Sequence, residues 1–118
     1  MPIRERDFQA VVIAIAKHHG WMVFHPLPAQ NGRGQWRTAT QGDTGFPDLV
    51  LVHKKAGIIF AELKSAIGKL SDRQQRWINT IIEAGGEAYV WRPSDLEQIK
   101  AILDTKRGNK WAITNQPR

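Results

Sequence analysis

Cysteine is missing from this chain. That excludes a disulfide framework and a thiolate zinc site. Long apolar runs are missing too. The N-terminus, MPIRERDF, is charged from the start, and the nearest apolar stretch, Ala10 to Ala16, is too short for a membrane span. The expectation is a soluble, cytoplasmic protein with no membrane partner. Negative charge is scarce: 11 acidic residues face 17 Lys and Arg, giving a formal +6 and a pI near 10.1. Such a field attracts a polyanion, nucleic acid first and an anionic membrane surface second. Repeats and low-complexity segments are also lacking. A length of 118 residues allows one domain spanning 1–118, with no room for a separate target-recognition domain.

What is present centres on Gly45 to Lys69, GFPDLVLVHKKAGIIFAELKSAIGK. Leu49 to Val52 and Ile58 to Leu63 read as two strands joined by a turn at 54–57. Both runs are nearly continuously apolar, the pattern of a central sheet covered on both faces. Charge nevertheless sits within it, as Asp48, Glu62 and Lys64. Residues two apart on a strand share a face, so Glu62 and Lys64 point the same way, and pairing through the turn brings Asp48 toward Glu62. Two carboxylates in an apolar setting repel unless a cation lies between them. A hard ion such as Mg²⁺ takes oxygen ligands of this kind, and a neighbouring lysine can orient or deprotonate a water or steady phosphate charge. The plainer alternative is an ion pair at a sheet edge.

The chain on either side fills out an α/β domain. Residues 3–19 carry Phe8, Val11, Val12 and Ile15 at helical spacing, with Gly20 as a stop. Glu5 and Asp7 fall in the first turn, where acidic residues complement the helix dipole. Trp21 to His25 reads as a strand, and His25 at its end is either a surface residue or a phosphate or water contact. Pro26 to Thr44 has no periodicity and is read as a structureless loop overhanging the Asp48 corner, a length that is usually functional or disordered. Its Arg33, Trp36 and Arg37 combine charge with a stacking surface, as a nucleic-acid flap would. Ser71 to Gln74 fits a capping box opening a helix with Trp77, Ile78, Ile81 and Ile82 on one face and Gly85-Gly86 at its end. Lys69, Arg73 and Arg76 are phosphate contacts or a solvated basic face. Glu87 to Trp91 is a further strand, whose Tyr89 and Trp91 are core or interface residues. Ser94 to Glu97 offers a second capping box for a last helix. The core runs from about 5 to 104, and a basic tail, 105–118, carries Trp111 as a clamp on nucleic acid or a partner subunit. The order is αβββαβα, a small mixed sheet flanked by helices.

GFPDLVLV, AELKSAIGKLSDRQ and GGEAYVWRPSD together resemble the VRR-NUC family, the stand-alone nuclease modules of phages and bacteria in the PD-(D/E)XK superfamily. The resemblance covers about Glu5 to Leu103, with Pro47-Asp48 as the PD and Glu62-Leu63-Lys64 as the ExK. It implies a restriction-endonuclease-like core and a metal-dependent DNA endonuclease leaving a 5′-phosphate and a 3′-hydroxyl. In that scheme Asp48, Glu62 and the Leu63 carbonyl hold Mg²⁺ or Mn²⁺, and Lys64 activates water. Gln74, within a Leu-Ser-x-x-Gln pattern, belongs to the active site, and Glu5 reaches a second metal or its waters. Stand-alone members are similar to four-way-junction (Holliday-junction) resolvases acting as symmetric dimers, so branched DNA and a homodimer are expected. The rivals are nicking, flap or single-strand cleavage, a phage packaging or recombination subunit, and a DNA-binding module that never cuts. RNA is an alternative substrate.

Overall fold

The computed structural model describes residues 2–26, 29–30, 32–34, 36–37 and 41–104, with only the backbone at 29, 30, 36 and 37. The side chains of Trp36 and Arg37, and the tail 105–118 with Trp111, lie outside the described residues. Helix α1, Glu5–His18, buries Phe8, Val12 and Ala16, which recur one turn apart on a single stripe. It starts later than the periodicity suggests, because Arg4 at the cap position has no side-chain acceptor for the first free N–H groups. It stops at Gly20, whose φ of 84° lets Trp21 N–H reach back to the Ala16 carbonyl at 3.0 Å.

The main sheet has the order β1-β4-β5-β6. Its strands are β1 (Met22–Phe24), β4 (Leu49–His53), β5 (Gly57–Leu63) and β6 (Glu87–Trp91). The first three pair antiparallel, and β6 lies parallel to β5. Helix α2, Asp72–Glu83, makes the crossover that a parallel pair requires. Its capping box forms as the sequence indicates, with Ser71 Oγ accepting from Gln74 N–H at 3.1 Å and Gln74 Oε1 accepting from Ser71 N–H at 2.9 Å.

The αβββαβα core stands, with one addition and one altered cap. Within 26–44, β2 (Ala29–Gln30) pairs antiparallel with β3 (Trp36–Arg37), so this segment is not structureless throughout. Strands of two residues show no alternation to read. The last helix, α3 (Leu96–Leu103), has no side-chain cap. Instead Pro93–Asp95 forms a single 3-10 turn, and Asp95 Oδ2 accepts the Arg92 N–H at 2.8 Å.

The two faces of the sheet differ. Leu49, Leu51, Ile59, Ala61, Leu63 and Trp91 pack against Phe8, Val12 and Ala16 of α1 and Ile99, Ile102 and Leu103 of α3. Trp21 closes the end of that layer, donating its indole N–H to the Leu103 carbonyl at 3.0 Å. Trp91 stacks on Tyr89, whose hydroxyl donates to Glu87 Oε2 at 2.6 Å, in agreement with a core role. On the opposite face, α2 packs over β6, and Phe46 bridges Trp77 of α2 to Phe60 of β5. Met22, Phe24, Val52 and Ile58 there are 74%, 60%, 39% and 52% exposed. The expectation of a sheet covered on both faces is therefore corrected. A helix about 10 Å across spans only about two strands of 4.8 Å spacing, and nothing among the described residues covers the other two.

Candidate active site

The corner Gly45-Phe46-Pro47-Asp48 is built against α2. Gly45 has φ 93°, and a Cβ there would come within 2.7 Å of the Arg73 backbone. Only glycine allows both that conformation and that approach. Phe46 then meets Phe60 edge-on at 6.0 Å and Trp77 at 5.0 Å between ring centroids. The Trp77 indole N–H donates to the Thr44 carbonyl at 3.1 Å. Asp48, held at the head of β4, accepts the Leu63 N–H on Oδ2 at 2.8 Å. The N–H and carbonyl of one strand residue leave on the same side, so this bond also turns the Leu63 carbonyl to the Asp48 edge of β5. The sequence-derived pairing of these two strands thus brings Asp48 to the ExK segment.

Glu62 is 1% exposed, and its Oε1 has no hydrogen-bond partner. Its other oxygen lies 3.6 Å from Lys64 Nζ, on the shared strand face. Burial pushes the Glu62 carboxyl up to about 8, and repulsion from Asp48 adds to the shift, while the Lys64 ammonium opposes it. A buried carboxyl with a free oxygen and a like-charged neighbour is stabilised either by the proton it then holds or by a bound cation. This donor set of two carboxylates and one carbonyl suits a hard divalent ion that keeps waters in its remaining positions.

The other residues proposed from sequence are placed less closely. Glu5 is exposed at the start of α1, and among the described residues no group of three His, Asp or Glu side chains is arranged to hold a metal. Asp7 is paired with Arg4 at 2.9 Å. Gln74 is half-buried and spends its oxygen on the Ser71 cap, which leaves its amide N–H groups as the end able to engage another group. Lys69, Arg73 and Arg76 are exposed. Arg73 donates to Thr44 Oγ1 at 3.2 Å, and Arg76 approaches Asp43 at 4.0 Å. Both arginines line a cleft of about 460 Å³ with Asp43, Thr44, Trp77 and Thr80. Arg33 is exposed in the turn between β2 and β3.

Four contacts escaped sequence reasoning. His25 Nδ1 donates to the backbone carbonyl of Asp48 at 2.9 Å, and the Gln9 amide lies 3.4 Å from the same ring nitrogen. Gln9 is one turn beyond Glu5 on α1, so helical spacing was the available signal. Arg92 donates to the Ser65 and Gly68 carbonyls at 2.7 Å each and orders the segment that follows Lys64.

A mixed sheet that brings Asp48, Glu62 and Lys64 together at the junction of two central strands is the arrangement expected of the PD-(D/E)XK nuclease class. The VRR-NUC domain profile matches residues 7–95, and the chain belongs to that family, whose function is of the nuclease type. A solved VRR-NUC domain protein is similar in fold, with a TM-score of 0.61 and 17% identity over 93% of this chain and 91% of that one. Comparison with curated proteins gives no match.

Proposed function

We propose that the chain is a divalent-metal-dependent DNA endonuclease, acting as a homodimer on branched DNA, with the four-way junction as its preferred substrate. The observation that carries the hydrolytic reading is the buried Glu62, with one oxygen unpartnered, pushed up to about 8 beside Asp48 and Lys64. Asp48, Glu62 and the Leu63 carbonyl would hold Mg²⁺ or Mn²⁺. The ion supplies Lewis acidity at the scissile phosphate and makes water a better nucleophile at neutral pH. Leu63 N–H fixes the Asp48 carboxylate by holding Oδ2. Lys64, 13% exposed and anchored through its backbone N–H to the Trp91 carbonyl, presents its ammonium beside Glu62 to position the attacking water and steady phosphate charge. The Gln74 amide orients water or phosphate from the start of α2, and Glu5 reaches the site only through intervening waters or a second ion. Lys69, Arg73, Arg76, Arg33 and Arg37 supply backbone contacts, which position DNA without reading sequence. Junction preference and dimerisation rest on the family likeness.

The test is cleavage of a labelled four-way junction, flap, linear duplex and single strand, with Mg²⁺, Mn²⁺ or EDTA, by wild type and Asp48→Ala. Symmetric, metal-dependent junction cuts that vanish in the variant are expected. Equal cutting of all substrates would remove junction preference and keep the nuclease. Tight binding with no cutting in any metal would leave a binding module.

A further inference from the structure

Asp48 stands one residue before β4, where the ladder on the β1 side runs out. Along an antiparallel strand the N–H and C=O of one residue point to the same edge, and successive residues alternate edges. Leu63 N–H points to Asp48, whereas Lys64 N–H points the other way, to the Trp91 carbonyl. The residues of β5 that face β4 are therefore Ile59, Ala61 and Leu63. Their register partners Leu51 and Leu49 turn their backbone groups to β5, so Val52, Val50 and Asp48 turn theirs to β1. The β1 register, Met22 with Val52 and Phe24 with Val50, continues by one step to Pro26 opposite Asp48. Proline has no N–H, so it cannot serve the Asp48 carbonyl. His25 does so instead. Its Nδ1 donates to that carbonyl at 2.9 Å, and the Gln9 amide of α1 stands 3.4 Å from the same nitrogen.

We infer that His25 is a positioning residue for Asp48: it replaces the ladder bond that Pro26 withholds and so sets the aspartate for a divalent cation. The inference rests on the reading of Asp48 as a metal ligand. Three features support it. Asp48 is held from two sides, its carboxylate by the Leu63 N–H of β5 and its backbone by His25 at the end of β1. Both the root and the tip of the ligand are thereby fixed, as a preorganised site requires. His25 also acts on the carbonyl and not on the carboxylate, so it takes no lone pair from the cation. Finally, a carbonyl only accepts, so Nδ1 carries the hydrogen, and the working atom is the ring nitrogen bonded to Cγ. A histidine that touched phosphate or water at the site would instead work through Nε2.

The experiment is calorimetric Mn²⁺ titration of the full chain, wild type against His25→Asn, His25→Gln and His25→Phe. Asp48→Ala reports which binding belongs to this site, and thermal melts establish that each variant is folded. Asparagine carries its N–H on the atom bonded to Cγ, as Nδ1 does. Glutamine moves the amide one bond further, toward the place of Nε2, and phenylalanine keeps a ring without a donor. His25→Asn is expected to stay within about threefold of wild type, while the other two bind about tenfold more weakly or worse, the scale of losing an outer partner of a metal ligand. Rescue by glutamine and not by asparagine would overturn the inference, by moving the working atom to Nε2. An equal loss in all three variants would overturn it as well, because packing of the ring and not its donor would then matter. Unchanged affinity in all three would leave Asp48 held by Leu63 alone and overturn it too. Wild-type binding that is absent, or that survives Asp48→Ala, would remove the metal-ligand reading itself and the inference with it.

Discussion

Leu51 and Val52 are neighbours in the chain, as are Ile59 and Ile58, yet each pair divides between two environments. Leu51 and Ile59 are at most 1% exposed beneath α1 and α3, while Val52 and Ile58 stand 39% and 52% exposed on the other side of the sheet. The closed face is apolar except at its margin, where Glu87 and Tyr89 satisfy each other. The open face carries Asp48, Glu62 and Lys64. One set of strands thus uses its alternation to separate stability from chemistry. Two helices hold one side together, and the half-covered side accepts a buried carboxyl with one oxygen unpartnered, which a purely structural sheet would exclude.

The largest effect expected from breaking this division is at Glu62. Glu62→Gln removes the charge but keeps the shape, and it should abolish metal-dependent cleavage in the junction assay. The same variant should melt at a higher temperature than metal-free wild type at pH 8, because the repulsion with Asp48 is gone. A fall in both activity and stability would mean that Glu62 serves the core rather than a cation. Next in size is the closed face. Leu51→Ala should cost about 2–5 kcal/mol in urea unfolding, whereas Val52→Ala, one residue on, should stay within about 0.5 kcal/mol. Equal costs would erase the distinction between the faces.

The pH dependence of stability follows from Glu62. Its carboxyl titrates near 8 when folded, against an ordinary 4.5. Between those values the folded protein holds a proton that the unfolded chain has released, so stability without metal falls as pH rises through this window. Thermal melts in EDTA from pH 5 to 8.5 should show that decline, and Glu62→Gln should flatten it. A smaller slope should remain from Glu87, whose carboxyl burial also raises. A rise in melting temperature across the window would contradict the assignment. The smallest effect separates the two roles of Gln74. Ser71→Ala should cost about 1 kcal/mol through the lost cap and leave cleavage of the folded protein unchanged. Gln74→Ala should lower both. If the two variants cleave alike, Gln74 is a capping residue only.

Much of this was legible in the sequence where the signal was local. The branched runs on either side of the turn at 54–57 located β4 and β5, and the spacing of Glu62 and Lys64 put them on one face. Ser71 and Gln74 named the start of α2. What stayed hidden depends on contacts between distant elements. Whether an apolar run is covered on one side or two is settled by where α2 lands, and Val52 and Ile58 look no different from Leu51 and Ile59 in the sequence. The meeting of Gln9, His25 and the Asp48 carbonyl needs the packing of α1 against the end of β1. Arg92 reads as the end of β6, with no sign that it grips Ser65 and Gly68. The hairpin of β2 and β3 leaves no mark in the sequence because its strands are too short to alternate.

The most direct measurement is an anomalous difference map from crystals grown with Mn²⁺ and a non-cleavable DNA substrate. The account predicts a peak bounded by Asp48, Glu62 Oε1 and the Leu63 carbonyl oxygen, beside Lys64. Density for DNA with no peak there, or with the Mn²⁺ held elsewhere, would contradict it.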